Sequence, residues 1–295
     1  MTKAGIVTVA GRPNAGKSTL LNRLVGEHLA ITSPKPQSTR DRVVGIITDD
    51  STQIVFHDTP GLLAPSYALQ SAMRSTSLTA LSDADVIVHL IDATEGKLET
   101  LAEAAGLPAN RAPRAPVLLA LNKCDELPDG RRAHFAIEHP GACLISARTG
   151  DGIADLLVRI RALLPDHPFY YDAEDLSTQQ MRFFAAEMVR ECALEQLDDE
   201  VPYSIACEIE EFREGRSPVY IRAVLHVERD SQKRILIGAG GARIKSIGRD
   251  ARAKIERLVG AQIYLDLWVK VLPNWRRDSA ALRRLGYLVP EDTES

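Results

Sequence analysis

A doubly wound α/β domain with a mostly parallel sheet, followed by a smaller α+β domain, is the fold class this sequence predicts. Three observations predict it. Near-continuous Val/Ile/Leu runs alternate with helix-period segments as far as residue 164, a proline-containing acidic break follows, and the strands beyond it alternate apolar with polar residues. A length of 295 residues agrees, since one domain takes roughly 100 to 200. With 45% hydrophobic and 26% charged residues the composition is that of a globular chain. No run approaches the roughly 18 apolar residues of a membrane helix, and MTKAGIVTVAG leaves no room for a signal peptide, so a cytoplasmic protein is expected. Cys124, Cys143, Cys192 and Cys207 have neither CxxC spacing nor neighbouring histidines, which favours buried reduced thiols over a zinc site.

The first-domain runs are IVTVA (6–10), VVGIIT (43–48), QIVFH (53–57), VIVHLI (86–91), VLLAL (117–121) and CLIS (143–146). Being apolar throughout, they suit strands covered on both faces, with helices such as 153–164 between them. LPDHPFYYDAED (164–175) reads as the link, which sets the domains at 1–166 and 179–295 with a linker at 167–178. Beyond it a helix is expected over 178–197, strands over 203–212 and 219–229, a strand-like run ILIG at 235–238, a helix with Ile244, Ile247, Ala251, Ile255 and Leu258 on one face, and a last strand over 262–271.

Chemistry enters at residues 11–18, GRPNAGKS, directly after a strand and before TLLNRL. Glycines let successive backbone N–H groups turn inward, and the following helix N-terminus adds partial positive charge. The loop Gly11-Arg12-Pro13-Asn14-Ala15-Gly16, with Lys17, Ser18 and Thr19, is therefore a phosphate cradle in which Lys17 reaches the β and γ phosphates and Ser18 offers its hydroxyl to Mg2+. Asp58-Thr59-Pro60-Gly61 closes the QIVFH strand. Asp58 is expected to hold Mg2+ through water and the Gly61 N–H to meet the γ phosphate.

The base is selected elsewhere. Asn122-Lys123-Cys124-Asp125 follows VLLAL, at the sheet edge where open α/β sheets bind ligands. The Asp125 carboxylate can accept from guanine N1–H and its amino group, whereas adenine would leave it unpaired at a cost of about 1–3 kcal/mol. Asn122 braces the loop, the Lys123 stem lies over the ring, and Ser146-Ala147-Arg148 supplies backbone N–H groups for guanine O6.

On these motifs, residues 1 to about 165 resemble a translation-factor-like P-loop GTPase domain. The resemblance implies that PKPQSTRDR (34–42) is the first switch segment and that Thr39 joins Mg2+ when the γ phosphate is present, with Ser38 as the alternative. Lys17, Thr39 and Gly61 are then the residues expected to act on the γ phosphate. Leu62 stands where some GTPases place a water-orienting glutamine, which predicts slow intrinsic hydrolysis that depends on a partner or a cation. Asn14 occupies the position where some relatives help to coordinate K+.

The second half differs in charge. Residues 1–199 hold 19 Lys+Arg against 26 Asp+Glu, and residues 200–295 hold 17 against 14. Nine basic residues against three acidic ones fall between Arg229 and Arg257, which points to a polyanion. There Gly238-Ala239-Gly240-Gly241 precedes the basic helix ARIKSIGRDARAKIERL. A GxxG turn between two helices clamps about four nucleotides of single-stranded RNA. Ala239 and Gly240 leave the turn without a basic residue, so phosphate contact is expected to fall to Arg243 and Lys245.

The order helix, strand, strand, helix, helix, strand is that of a type II KH domain. With VPYS (201–204), LIGAGGARIKSIGRDAR (236–252), LDLWVKV (265–271) and ALRRLGYL (281–288), nearly the whole chain resembles the Era family of bacterial GTPases. That resemblance implies GTP/GDP and Mg2+ as ligands, binding near the 3′ end of 16S rRNA, a role in 30S ribosomal subunit assembly, a monomer, and in some relatives loose contact with the inner membrane face. Two other readings stand beside it: an RNA chaperone whose nucleotide site only stabilises the fold, and a GTPase of a tRNA-modifying complex, which the C-terminal KH pattern disfavours.

Overall fold

The apolar runs of the first domain form strands over all or part of their length, because sheet pairing satisfies the backbone of segments whose side chains are packed away from water. The structure, a computed structural model, describes residues 2–95, 98–108, 113–215 and 217–290. The chain packs as two units, one comprising 1–30, 39–66 and 70–178, the other 31–38, 67–69 and 179–295.

In the first unit β1 (Lys3–Ala10), β2 (Val43–Thr48), β3 (Thr52–Asp58), β4 (Val86–Asp92), β5 (Val117–Asn122) and β6 (Cys143–Leu144) form one sheet in the order β2-β3-β1-β4-β5-β6. All pairings are parallel except β2 with β3, a hairpin at the edge. Helices α1 (Lys17–Val25), α2 (Ala68–Ser82), α3 (Leu101–Ala105), α4 (Asp129–Glu138) and α5 (Ile153–Leu163) follow strands, as parallel crossovers require. The run at 143–146 is a strand over Cys143–Leu144 only; Ile145 still donates to the Leu121 carbonyl (2.8 Å), but Ser146 turns away to donate to the Asp151 carbonyl. Every strand on the β1, β3 to β5 side ends at the same edge, which brings 11–18, 58–61, 122–125 and 146–148 together.

In the second unit α6 (Met181–Gln196), α7 (Asp230–Ile237) and α8 (Ala242–Val259) cover one face of the sheet β7-β8-β9, formed by β7 (Ala206–Arg213), β8 (Val219–Val227) and β9 (Ile263–Val271). β8 runs antiparallel to β7 and parallel to β9. The core joins Val189 and Cys192 of α6, Ile221 and Leu225 of β8, and Ile247 and Ile255 of α8. ILIG is a correction: residues 235–237 end helix α7 and are not a strand. Three apolar residues cannot choose between the two periods. The preceding DSQKR segment decides, because buried Gln232 accepts from the Glu228 and Arg229 amides and starts a helix that buries Leu236 while leaving Ile235 exposed. A short helix, α9 (Ser279–Arg284), follows. Among the described residues no helix is long and apolar enough to cross a membrane.

His226 on β8 is 3% exposed, with Nε2 2.9 Å from Glu208 Oε2. Burial holds its pKa below the ordinary value although Glu208 pulls the other way, and Arg284 and Lys270 add to the lowering. A histidine kept neutral by the fold contributes stability that is present above its unfolded pKa of about 6.5 and lost as pH falls below it. Denaturant unfolding at about pH 7.5 and about pH 5.5 should show the second unit weakening at the lower pH, with a shallower dependence in His226→Gln.

Candidate functional site

The loop between β1 and α1 is shaped by close approach. Gly16 has φ +96°, and a Cβ there would collide with the Asn122 side-chain amide. Lys17, 5% exposed, donates from Nζ to the Arg12 carbonyl (2.9 Å), so the ammonium lies back across the loop it would share with phosphate. Burial pushes its pKa down to about 8, against the pull of Asp58. The Arg12 side chain is taken by Glu99, with Nη2 2.6 Å from Oε2. The sequence offered no signal for that pair.

Three predicted metal residues meet. Ser18 Oγ donates to Asp58 Oδ2 (2.6 Å) and lies 2.8 Å from Thr39 Oγ1, while Thr39 Oγ1 is 3.5 Å from the same carboxylate oxygen. The other oxygen, Asp58 Oδ1, is buried with no hydrogen-bond partner. Burial raises the Asp58 pKa to about 6, against Lys17, Ser18 and Thr39. A buried carboxylate with an orphaned oxygen beside two hydroxyls fits a hard, oxygen-seeking cation such as Mg2+. Ser18, Thr39 and Asp58 are the residues that would hold it, and its charge would offset that of the β and γ phosphates.

Thr59 Oγ1 donates to the Val9 carbonyl (3.0 Å) and Ser77 Oγ to that of Pro60 (2.9 Å). These bonds fix the turn that backs Gly61 against Pro13. Leu62 is 3% exposed and packs with Ala10, Ile87 and Leu101, so this position builds the core.

At the base end, Asn122 Nδ2 donates to the Ala15 carbonyl (2.8 Å) and its Oδ1 accepts from Ala147 N–H (2.9 Å). One buried amide thus joins the cradle to both base loops. Lys123 has φ +64° and its ammonium pairs with Asp92, and Asp125 pairs with the Arg148 guanidinium. Hydrogen bonding to Ser146 holds the Asp125 pKa below its usual range, so the acceptor that guanine needs is ionised. Two expectations for residues 146–148 change. The Ser146 and Ala147 amides are engaged within the protein, and Arg148 contributes a side chain that backbone reasoning overlooked.

In the second unit, Gly238, Gly240 and Gly241 all have positive φ (74°, 57° and 78°) between α7 and α8. Apart from its chain neighbours, no atom of the described residues lies within 4 Å of where a Gly240 Cβ would be, so this backbone is open to a ligand. A groove of about 390 Å³ runs between α8, with Ile244, Lys245 and Arg249, and β9, with Tyr264, Leu265 and Leu267. Arg243 lines a hollow on the other side of α8 beside Gly238 and Ala239, and its Nη1 donates to the Ile235 carbonyl (3.1 Å). Lys254 is spent internally on Glu191 and Glu195, at 2.8 Å each, so the sequence count overstates the free positive charge.

A phosphate cradle, a guanine-type base loop and a GxxG clamp on a three-stranded sheet define a P-loop GTPase with a KH domain. The family model described as 50S ribosome-binding GTPase matches residues 6–123, and the KH domain model matches 200–276. GTPase Era of Carboxydothermus hydrogenoformans is 39% identical over 97% of this chain and 98% of its own length. The Pseudomonas savastanoi pv. phaseolicola protein of that name is 41% identical over 97% of each. Aquifex aeolicus Era bound to GDP·AlF4− matches with a TM-score of 0.90 and 37% identity, covering 98% of this chain and all of that one. Era in complex with MgGDPNP and nucleotides 1506–1542 of 16S ribosomal RNA matches with a TM-score of 0.90 and 36% identity over the same shares. The chain belongs to the Era family of GTPases.

Removing the Asn122 amide leaves a buried carbonyl and a buried N–H unpaired, each worth about 1–3 kcal/mol. Asn122→Ala should weaken GTP and GDP binding at least roughly tenfold in calorimetric titration, and lower the unfolding temperature of the first unit while the second is unaffected.

Proposed function

We propose that this protein is a GTP-hydrolysing switch that binds 16S ribosomal RNA through its KH domain during assembly of the small ribosomal subunit, in the cytoplasm. Residues 1–166 act as the nucleotide module and 179–295 as the RNA module, and 167–178, expected as a linker, leads from one to the other while packing with the first unit through Gln53 and Val44. The observation that carries the reading is the convergence of Lys17, Ser18, Thr39, Asp58, Asn122 and Asp125 on one sheet edge of a chain that also presents an open GxxG turn. The RNA bound by the Era of known structure has the chemistry this groove would take.

Lys17, Thr39 and the Gly61 N–H act on the γ phosphate, and Asp125 selects guanine. GTP shifts the balance between two states only through contacts that differ between them, and Thr39, whose Oγ1 lies 2.8 Å from Ser18 Oγ, is the residue proposed to make that difference. Asp125→Asn should lose most of the preference for GTP over ATP, read by competition binding. Gly241→Asp, which adds a side chain at φ +78° and negative charge, should reduce affinity for single-stranded RNA at least about tenfold with GTP affinity unchanged. RNA binding that survives that change removes the KH reading.

Hydrolysis depends on a cation or partner, since Leu62 is sequestered in the core. Asn14, at φ +64° within the cradle, is the residue proposed to help hold K+. GTP turnover should be several-fold faster in K+ than in Na+, and Asn14→Ala should abolish the difference. Equal rates in both salts would rule the K+ site out.

A further inference from the structure

The outer face of the β7-β8-β9 sheet, opposite the helices, carries aromatic rings where a solvated sheet face normally carries small polar side chains. Cross-strand partners share a face, so the register sets Arg213, Tyr220 and Tyr264 in one row and Glu211, Arg222 and Asp266 in the next. Tyr220 and Tyr264 stack with centroids 5.9 Å apart and planes at 11°. The guanidinium carbons of Arg213 and Arg222 lie 5.3 and 5.8 Å from the centre of the Tyr220 ring. Trp268 stands one row further along, 54% exposed, and Tyr264 is 59% exposed.

Three of these groups, Tyr220, Arg222 and Trp268, are held by one carboxylate. Asp266 accepts from Tyr220 Oη (2.9 Å), Arg222 Nε (3.1 Å) and Trp268 Nε1 (2.8 Å), and Arg222 Nη2 donates to Tyr220 Oη (2.8 Å). Tyr220 is covered by Tyr264 and the two guanidinium groups, so the ring faces left to offer are those of the exposed Trp268 and the side of Tyr264 turned away from Tyr220. Tyr264 also lines the groove between α8 and β9, so the ring that ends the groove begins the row on the outer face.

We propose that Tyr264, backed by Tyr220, and Trp268 form a base-stacking platform that takes single-stranded RNA over the sheet edge after it leaves the KH groove. The proposal rests on the KH reading above and extends it beyond the clamp, which holds only about four nucleotides. Stacking is the interaction these residues supply. Arg213 pairs with Glu211, Arg222 with Asp266 and Lys270 with Glu210, which leaves little net charge for phosphate. Nucleobases suit such a surface, since every base has a π-face and guanidinium groups favour it. A protein partner would need a continuous apolar centre, and here the rings are interrupted by ionised pairs.

The test compares two labelled single-stranded RNAs on the full chain, one of about four nucleotides and one of roughly 12 that contains it. In Trp268→Ala, which leaves the groove lining intact, affinity for the longer RNA should fall roughly 5- to 150-fold while affinity for the shorter is unchanged. Trp268→Phe, which keeps an aromatic ring, should retain most of the longer RNA's affinity. The longer RNA should quench Trp268 fluorescence in a Trp275→Phe background, and the shorter should not. Equal losses on both RNAs, or no loss on either, would overturn the platform, the latter outcome leaving the face to a protein. If the wild type binds the longer RNA but not the shorter, the clamp reading fails alone, and the Trp268→Ala comparison on the longer RNA still decides the platform. Failure to bind either RNA overturns both.

Discussion

The nucleotide end of this protein depends on the side-chain amide of Asn122. Its two ends face opposite loops, with Nδ2 on the Ala15 carbonyl of the cradle and Oδ1 on the Ala147 amide of the last base loop. Both bonds are buried, so neither can be replaced by water, and each loop would otherwise carry an unpaired backbone group. The same amide explains a glycine. Gly16 leaves room for it, and any Cβ there would occupy its place. Cradle and base loop are therefore one rigid piece, although more than a hundred residues separate them in the chain.

Rigidity of that kind permits the unfavourable electrostatics next to it. Lys17 and Asp58 are both buried, and burial works against the charge of each, with the lysine brought down to about 8 and the carboxyl raised to about 6. Desolvation outweighs their mutual attraction, which leaves two groups poised for a ligand of mixed charge. A nucleotide phosphate with its cation is such a ligand: the anion would meet Lys17 and the cradle, and the cation would be held by the oxygens of Ser18, Thr39 and Asp58. Leu62 shows how little of this site is devoted to water, since the residue after Gly61 is used to pack β1 and β4 against α3.

The second unit uses the opposite strategy. Its core is closed by α6, α7 and α8 on one face of the sheet, while its ligand surface is a shallow groove and an open row of rings. Basic residues there are partly committed to the fold, Lys254 most completely, through Glu191 and Glu195. Affinity at such a surface comes from shape and stacking as much as from charge, in keeping with the way single-stranded RNA is recognised.

Much of this was legible in the sequence because glycine loops, strand runs and short polar motifs are local. The glycines of GRPNAGKS favour the turn, and VLLAL forms a strand that is buried at Ala120 and Leu121 though Val117 is exposed, so the sheet, the cradle and the base loop followed from residues close together in the chain. The short ILIG run was misread because three apolar residues have no period, and a capping glutamine upstream made it helical. Only tertiary structure could disclose pairings between distant residues: Arg12 with Glu99, Arg148 with Asp125, and Asp266 with two strands' worth of side chains. The sequence by itself determined which groups can bind phosphate, guanine and RNA, because that is a property of residue type and local backbone. Which of those groups are already occupied by the protein was decided by packing, because hydrogen-bond capacity is shared among whatever neighbours the fold brings within reach.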